Sequence, residues 1–164
     1  MPLLTILTPC FNEEDNVREV YRRVKEAMAT LPDIDHEHLF IDNASTDRTV
    51  EILRELAADD KRLKVIVNTR NFGHIRSPFH GLLQARGDAV MSCVADLQDP
   101  PELIPEFVRK WLEGYKVVIG VKAESRESWL MGHTRRFYYR LVGRISSDVE
   151  LVNNFTGFGL YDRE

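Results

Sequence analysis

The sequence predicts an α/β protein built on a mainly parallel sheet with helices on both faces. Predicted strands and helices alternate along the whole chain, which is the pattern that a parallel sheet with crossover helices requires. The strands are short apolar runs without polar alternation, which is typical of strands buried on both faces. Between them, apolar residues recur every three or four positions, as on one face of a helix.

Six runs qualify as strands, and most are followed by a polar or turn-forming residue. Pro9 ends the first strand. The fourth begins at Val90 and ends where Asp96 introduces charge. The last is interrupted by glycines, so we expect it at an edge of the sheet. The predicted strands cover residues 3–8, 38–42, 63–67, 90–95, 116–121 and 155–161.

Helical periodicity fills the segments between these strands. Pro32 closes the first helix and Gly114 closes the fourth, while Ser45 or Thr46 can cap the second. The fifth helix is rich in aromatic residues and arginines. The predicted helices cover residues 17–28, 50–57, 77–86, 101–112 and 129–145.

Length and charge limit the class of protein. We expect the 164 residues to form a single domain over residues 1–164, and the net charge of -4 argues against a nucleic-acid binder. Cys10 and Cys93 lack the spacing of metal ligands and are expected to be buried free thiols in a reducing compartment. We expect no signal peptide, because the first residues lead directly into a strand, and no apolar run here reaches membrane length. The chain ends directly after its last predicted strand, so we expect it to be a piece of a longer protein.

Polar side chains follow the predicted strands. Because the carboxyl ends of parallel strands share one edge of a sheet, these side chains should converge there on a ligand. Asp96 and Gln98 offer oxygen atoms to a hard divalent cation; the alternative is a plain loop in which Asp99 caps the next helix. Glu13 and Asp42 have structural alternatives too, as a helix acid and a turn residue. The residues at the strand ends are Glu13, Asp42, Asn43, Asn68, Arg70, Asp96, Gln98 and Lys122.

Several ligand classes are excluded by motifs that the sequence lacks. No Gly-x-Gly-x-x-Gly follows the first strand, which argues against a dinucleotide cofactor. A phosphate-binding Gly-Lys-Ser/Thr loop and a serine nucleophile motif are also missing. The histidines show no spacing of metal ligands, and we expect most of them at the surface.

Four sequence blocks follow the predicted strands in order. They are Thr-Pro-Cys-Phe-Asn-Glu-Glu at 8–14, Asp-Asn-Ala-Ser-Thr-Asp at 42–47, Arg-Asn-Phe-Gly at 70–73 and Ala-Asp-Leu-Gln-Asp-Pro-Pro-Glu at 95–102. Together they resemble the signatures of family 2 glycosyltransferases, which have the Rossmann-like GT-A fold. The branch most similar to them is that of dolichol-phosphate mannose synthases and bacterial polyprenyl-phosphate glycosyltransferases.

The resemblance implies a role for each matching residue. Asp96 and Gln98 match the ligands of a divalent metal, Mg²⁺ or Mn²⁺, that holds the donor diphosphate, and Asp96 is the implied catalytic residue. Asp42 matches the acid that reads the nucleotide base. The other implied binding residues are Pro9, Phe11 and Glu13 for base and ribose, Asn43 and Arg70 for the donor, Lys122 for the diphosphate, and Arg135 with Arg136 for the acceptor phosphate.

Three positions depart from the family pattern. Val94 stands where the family has the first carboxylate of an Asp-x-Asp motif, so one metal ligand is missing. Asn43 replaces the second acid of an Asp-Asp pair and keeps hydrogen bonding without charge. Gly159 stands where relatives have an arginine, so a phosphate contact is lost.

The resemblance therefore predicts a glycosyltransferase that moves a sugar from a UDP- or GDP-sugar, by inverting displacement, to a polyprenyl phosphate. A lipid phosphate is already an anionic nucleophile, so no strong general base is needed. We expect the full-length protein at the cytoplasmic side of the membrane, with helix 129–145 on the lipid surface unless it packs into the core; this piece alone should be soluble. The alternative is a non-catalytic module that binds a sugar nucleotide or a membrane partner. The sugar, the base and the oligomeric state stay open.

Overall fold

The computed structural model describes residues 1–121 and 155–164, with only the backbone of Phe155 and Thr156. The strands are β1 (Leu3–Cys10), β2 (Asp35–Asp42), β3 (Leu63–Val67), β4 (Ala89–Ser92), β5 (Val117–Val121) and β6 (Phe155–Asp162). The helices are α1 (Val17–Ala29), α2 (Thr49–Asp59), α3 (Gly73–Gln84) and α4 (Ile104–Leu112), the last preceded by a 3-10 turn at Pro101–Leu103. These strands form one sheet in the order β3-β2-β1-β4-β6-β5.

The predicted fold class is confirmed. β1 pairs in parallel with both β2 and β4, and β2 pairs in parallel with β3. β6 runs antiparallel to β4, so the sheet is mainly parallel. At its carboxyl edge Cys10 lies opposite Asp42, and Asp42 lies opposite Val67. The loops that leave this edge carry most of the predicted site residues.

Apolar side chains of the strands are buried on both faces of the sheet. On one face they form the larger core with α1, α2 and α4, where Leu4 and Phe40 are fully buried. On the opposite face α3 packs on β1 and β2 over a smaller core that contains Leu7 and Ile41. Gly81 allows this close approach, because a Cβ there would lie 2.7 Å from Leu7 Cδ1.

β1 continues through Pro9 to Cys10, so the prediction that Pro9 ends the strand is wrong. The Leu7 carbonyl accepts a hydrogen bond from the N–H of Cys93, which follows β4, so alternate residues of β1 face that side. Pro9 faces the same side, beyond the last pair that β1 makes with β4, Leu7 with Ser92. Its missing N–H therefore breaks no pairing within the sheet.

β6 lies inside the sheet between β4 and β5, so the prediction of an edge strand is wrong. Of its two glycines, Gly159 is closely packed, while Gly157 has a φ of +92° and open space around it. A Cβ at Gly159 would lie 3.2 Å from the Val118 carbonyl oxygen and 3.1 Å from the Tyr161 hydroxyl. A glycine-interrupted strand thus fits a crowded interior position.

Two predicted helix starts also differ from the structure. α2 begins at Thr49 without a side-chain cap hydrogen bond, so neither Ser45 nor Thr46 caps it. Both residues belong to the preceding turn, where their N–H groups bond to Asp42 and Asn12. α3 begins at Gly73 instead of Ser77, since the Gly73 N–H donates to Asn71 Oδ1 at 2.8 Å and starts the helix earlier.

The chain divides into two compact units, Met1–Ile119 with Phe158–Glu164 and Gly120–Gly157. Lys122, Arg135, Arg136 and the predicted helix 129–145 lie outside the described residues, and the single domain over 1–164 stays a prediction. Both cysteines are buried free thiols, as predicted. Among the residues that the structure describes, no helix combines the length and the apolar character needed to span a membrane.

Candidate functional site

The loops after β1 and β2 interlock through hydrogen bonds between side chains and backbone. The N–H of Asn12 donates to Ser45 Oγ at 2.8 Å, and the N–H of Thr46 donates to Asn12 Oδ1 at 2.8 Å. The N–H of Glu13 donates to Thr49 Oγ1, also at 2.8 Å. These bonds join two loops that are far apart in sequence into one continuous surface.

Two carboxylates close the same junction by accepting backbone hydrogen bonds. Asp47 Oδ2 accepts from the N–H of Glu14 at 3.1 Å, and Glu14 Oε2 accepts from the N–H of Arg48 at 3.0 Å. Burial opposes the ionisation of Asp47, but hydrogen bonds from Thr49 outweigh it and lower the pKa of Asp47. Both acids therefore hold the backbone of the junction.

Asp42 ends β2 with a fully buried side chain that forms the turn after the strand. Its Oδ2 accepts from the N–H of Ser45 at 2.9 Å, and its Oδ1 accepts from the Ser45 hydroxyl. Burial, followed by the negative charge of Asp42, raises the pKa of the neighbouring Cys10 thiol far above its usual value. The structure thus shows the turn role that the sequence left as an alternative, and base recognition by Asp42 stays a prediction.

The Asn43 side chain connects the end of β2 to the loop after β3. Its Oδ1 accepts from the Phe72 N–H at 2.9 Å and from Asn68 Nδ2 at 3.2 Å. Its Nδ2 donates to Asn71 Oδ1 at 3.0 Å. Asn68 Nδ2 also donates to Ser77 Oγ at 2.9 Å, which ties the network to α3. Asn71 and Ser77 were not among the predicted site residues.

Pro9, Phe11 and Glu13 lie at and after the end of β1, and their binding of base and ribose stays a prediction. Pro9 is half-buried within the strand, and the Phe11 side chain is exposed just beyond it. The Glu13 carbonyl accepts from the Val17 N–H at 3.0 Å, and its carboxylate accepts from Asn16 Nδ2 at 2.7 Å. Glu13 thus helps to start α1, while Phe11 offers an exposed ring to a ligand.

Arg70 lies on the loop that Asn43 holds. Its guanidinium carbon is 4.7 Å from the ring centroid of Phe72, which is a cation–π distance. Asn43 accepts a hydrogen bond from the backbone N–H of Phe72, so it holds the backbone of the loop that carries Arg70. The side chain of Arg70 is exposed and able to meet an anion.

Asp96 and Gln98 lie on the loop after β4, and both are exposed. The Gln98 N–H donates to Asp96 Oδ1 at 3.1 Å, which makes a compact turn around Leu97. Within residues 1–121 and 155–164, no three His, Cys, Asp or Glu residues are arranged to hold a metal ion. The N-cap residues of the 3-10 turn and of α4 are Pro100 and Leu103, neither with a side-chain cap hydrogen bond.

Left-handed backbone marks three of these loops. The non-glycine residues with positive φ in the described part of the chain are Asn12 at 55°, Ala44 at 64° and Leu97 at 58°. They lie after β1, β2 and β4, at the edge where the predicted site residues are found. Such conformations cost on the order of 1–2 kcal/mol each and cluster at functional sites. Asparagine tolerates this region, but alanine and leucine give no sequence signal for it.

The sheet, with the loops at its carboxyl edge, has the Rossmann-like GT-A fold. The profile of Glycosyl transferase family 2 matches residues 5–164. The chain belongs to this family.

Two relatives illustrate how the match extends along the chain. An uncharacterized glycosyltransferase of Bacillus subtilis, YkcC, is 40% identical over 161 residues, which cover 98% of this chain and 49% of the relative. The bactoprenol glucosyl transferase of Shigella phage SfV is 35% identical over 162 residues, which cover 98% of this chain and 52% of the relative. The chain thus spans about half the length of the curated relatives it matches.

Solved structures share the fold. The mannosyltransferase PcManGT from Pyrobaculum calidifontis, in complex with GDP-Man and Mn²⁺, has a TM-score of 0.65 at 20% identity, over 99% of this chain and 45% of that one. Glucosyl-3-phosphoglycerate synthase from Mycobacterium tuberculosis, in complex with Mn²⁺, UDP-glucose and phosphoglyceric acid, has a TM-score of 0.66 at 21% identity, over 99% of this chain and 57% of that one.

Proposed function

We propose that this domain binds the nucleotide-sugar donor in a glycosyltransferase that transfers the sugar to a polyprenyl phosphate. The observation that carries the proposal is the carboxyl edge of the sheet. There the interlocked loops hold Phe11, Asp42 and Asn43, and the neighbouring strand leads to the exposed Asp96 and Gln98. Similarity to the bactoprenol glucosyl transferase supports a lipid-phosphate acceptor.

The reaction is an inverting displacement at the anomeric carbon of the sugar. An oxygen of the acceptor phosphate forms a bond to that carbon while the bond from the carbon to the donor diphosphate breaks. The bonding electron pair leaves with the nucleoside diphosphate, so negative charge develops on its oxygens. The acceptor is already an anion, so no proton has to be removed. Stabilisation of the leaving charge is then the main task of the protein, and we assign it to Arg70 and Lys122. Arg135 and Arg136 are assigned to the acceptor phosphate.

Asp96 and Gln98 would hold a divalent cation, Mg²⁺ or Mn²⁺. Carboxylate and amide oxygens are the ligands that hard cations prefer, and both side chains are exposed on one short loop. The hydrogen bond from the Gln98 N–H orients the Asp96 carboxylate. When bound, the cation would neutralise charge on the diphosphate. Because Val94 offers no second carboxylate, a larger share of the ligands would come from the donor.

Isothermal titration calorimetry with UDP and GDP, each with and without MnCl₂, tests the donor and metal sites. We expect one of the two nucleotides to bind, and Mn²⁺ to strengthen its binding. Asp96→Asn should weaken nucleotide binding in the presence of Mn²⁺ by at least about tenfold. Asp33→Asn, at an exposed acid in the turn before β2, is the matched control and should leave binding unchanged. Equal binding with and without metal in wild type and Asp96→Asn would contradict the metal site.

The second candidate is a non-catalytic module that binds sugar nucleotide or a membrane partner. Val94 and Gly159, where the family has a carboxylate and an arginine, favour it. Sugar transfer by the full-length protein, supplied with a donor and a membrane lipid extract, decides between the two. Product attached to a polyprenyl phosphate of the extract supports the transferase. Donor binding without any turnover supports the module.

A further inference from the structure

Helix α3 carries an apolar stripe on the side that points away from the sheet. Ser77 and Gly81, one helical turn apart, are buried against the sheet. On the opposite side of the helix, Phe79 is 58% exposed and Leu83 is 63% exposed. Ile75, one turn before Phe79, is 71% exposed. Successive turns of α3 thus place large apolar side chains in solvent.

The exposed side chains of this stripe are neighbours and not isolated apolar residues. Single exposed leucines are common on soluble proteins, but contiguous apolar patches mark interaction surfaces. Positions that recur at three and four residues lie on one helix face, so the exposed side chains adjoin one another. The members of the stripe are Phe72, Ile75, Phe79, Leu82 and Leu83.

The stripe lies in a segment of the chain that has basic residues and no acidic ones. Residues 61–87 contain six lysines and arginines and no aspartate or glutamate, in a chain whose net charge is -4. Arg76 and His80 lie along one border of the stripe. They also line a cleft of about 410 Å³, together with Asn68 and Thr69 from the end of β3. A partner for this surface should therefore be apolar in part and anionic at its polar boundary.

We propose that α3 is a membrane-docking face that inserts Phe79 and Leu83 into the headgroup region of an anionic bilayer. Arg76 would then lie among the lipid phosphates, with the cleft beside it open to a headgroup. A second copy paired through the same stripe would bring basic residues against basic residues, which disfavours a symmetric dimer here. That a membrane lies nearby rests on the proposed function. That α3 is the part that contacts it rests on the exposed side chains of this helix.

Cosedimentation with lipid vesicles tests the docking face. Vesicles of phosphatidylcholine with roughly one-third phosphatidylglycerol should bind the protein, and vesicles of phosphatidylcholine alone should bind it at least about tenfold more weakly. Phe79→Gln and Leu83→Gln should each lower binding about tenfold. Leu112→Gln, at a leucine of α4 that is 59% exposed, is the matched control and should bind like wild type. Arg76→Gln should weaken binding only to the anionic vesicles.

Site-specific labelling locates the contact. The native thiols are buried, and burial raises the pKa of Cys93 to about 12. A maleimide dye should therefore react with an introduced, exposed cysteine in preference to the native ones. A polarity-sensitive dye on Leu83→Cys should shift to the blue when anionic vesicles are added, and the same dye on Leu112→Cys should not. Equal shifts at both positions, or equal binding to both kinds of vesicle, would overturn the inference. A dimer in sedimentation equilibrium that Leu83→Gln dissociates would assign the stripe to a second copy instead.

Calorimetric donor binding on the same preparations separates this inference from the proposed function. Donor binding without vesicle binding overturns the docking face alone. Vesicle binding through Leu83 without donor binding overturns the proposed function alone.

Discussion

Asn43 and Phe72, on loops that follow different strands, are joined by a hydrogen bond of 2.9 Å from the Phe72 N–H to Asn43 Oδ1. The amide of Asn43 is used in both directions, because its Nδ2 also donates to Asn71 Oδ1. A carboxylate could accept from Phe72 but could not donate to Asn71. Asn43, which replaces the second acid of the family's Asp-Asp pair, therefore forms a pair of hydrogen bonds that an aspartate could not form.

Asn43→Asp should lower the free energy of unfolding by about 1–3 kcal/mol, because a carboxylate oxygen would replace the Nδ2 donor and face Asn71 Oδ1, which is also an acceptor. The loop at 70–73 should loosen, and the Phe72 amide should exchange its hydrogen faster. Chemical denaturation and hydrogen exchange measure the two effects. Gln84→Glu adds the same charge at an exposed site of α3 and should change stability by less than about 0.5 kcal/mol.

Ser45→Ala should destabilise the junction between the loops after β1 and β2. The hydroxyl accepts from the Asn12 N–H and donates to Asp42, so its loss leaves two partners unsatisfied. We expect a loss of about 1–2 kcal/mol in chemical denaturation, together with weaker donor binding. Thr69→Val, which removes an exposed hydroxyl, is the control. Equal stability of Ser45→Ala and wild type would contradict the structural role of this junction.

His38 should make the protein less stable as the pH falls below about 6.5. Burial lowers the pKa of His38 to about 3, and its Nε2 lies 2.9 Å from Thr8 Oγ1 in the core. Between these pH values the unfolded chain binds a proton that the folded chain excludes, so stability is full above pH 6.5 and declines towards pH 3.

Between pH 7 and pH 5 this single group should contribute a loss of about 2 kcal/mol. Denaturation curves at both pH values, for wild type and His38→Gln, measure it as the difference between the two pH dependences. His74→Gln, at an exposed histidine, should keep the wild-type pH dependence. A pH dependence unchanged in His38→Gln would show that His38 accepts its proton in the folded state. His38 is buried in strand β2 among core residues, whereas His74 and His80 are exposed.

Gly87→Ala should be among the most damaging small substitutions in the chain. A Cβ there would lie 2.6 Å from both the Ala89 carbonyl oxygen and the Thr5 nitrogen, and backbone atoms cannot move aside. We expect a loss of about 3 kcal/mol or more in chemical denaturation. Gly114→Ala meets no atom within 4 Å but has a φ of +101°, so its cost should be about 1 kcal/mol.

Local sequence patterns correctly predicted the strands and helices that do not depend on distant parts of the chain. The run at 63–67 coincides with β3, and the apolar spacing at 101–112 covers the 3-10 turn and α4. The prediction at Pro9 failed because a strand tolerates proline where the neighbouring strand has already ended. That neighbour is β4, whose end is distant in sequence and could not be known from local patterns. The interior position of β6 likewise depends on partners that periodicity does not reveal.

The position of Asp42, Asp96 and Gln98 at or after the carboxyl ends of β2 and β4 was predictable from the sequence, while their roles stay predictions. The Asn68–Asn43–Asn71 network was not predictable, because an asparagine after a strand is as typical of a plain turn as of a bridge. Left-handed backbone at Ala44 and Leu97 also had no local signal. It arises because tertiary contacts and hydrogen bonds outweigh the intrinsic preference of these residues.

The placement of β6 between β4 and β5 affects how short the chain can be made in the laboratory. Asp162 lies opposite Ala89 and accepts a hydrogen bond from Trp111 Nε1 at 2.6 Å, so the final residues bind the sheet to α4. A recombinant form that stops before Phe155 would leave Val90 and Met91 on an open, apolar strand edge, and such edges recruit strands from other molecules. We expect that form to precipitate while the chain through Glu164 stays in solution, which makes β6 the protein's own protection against aggregation.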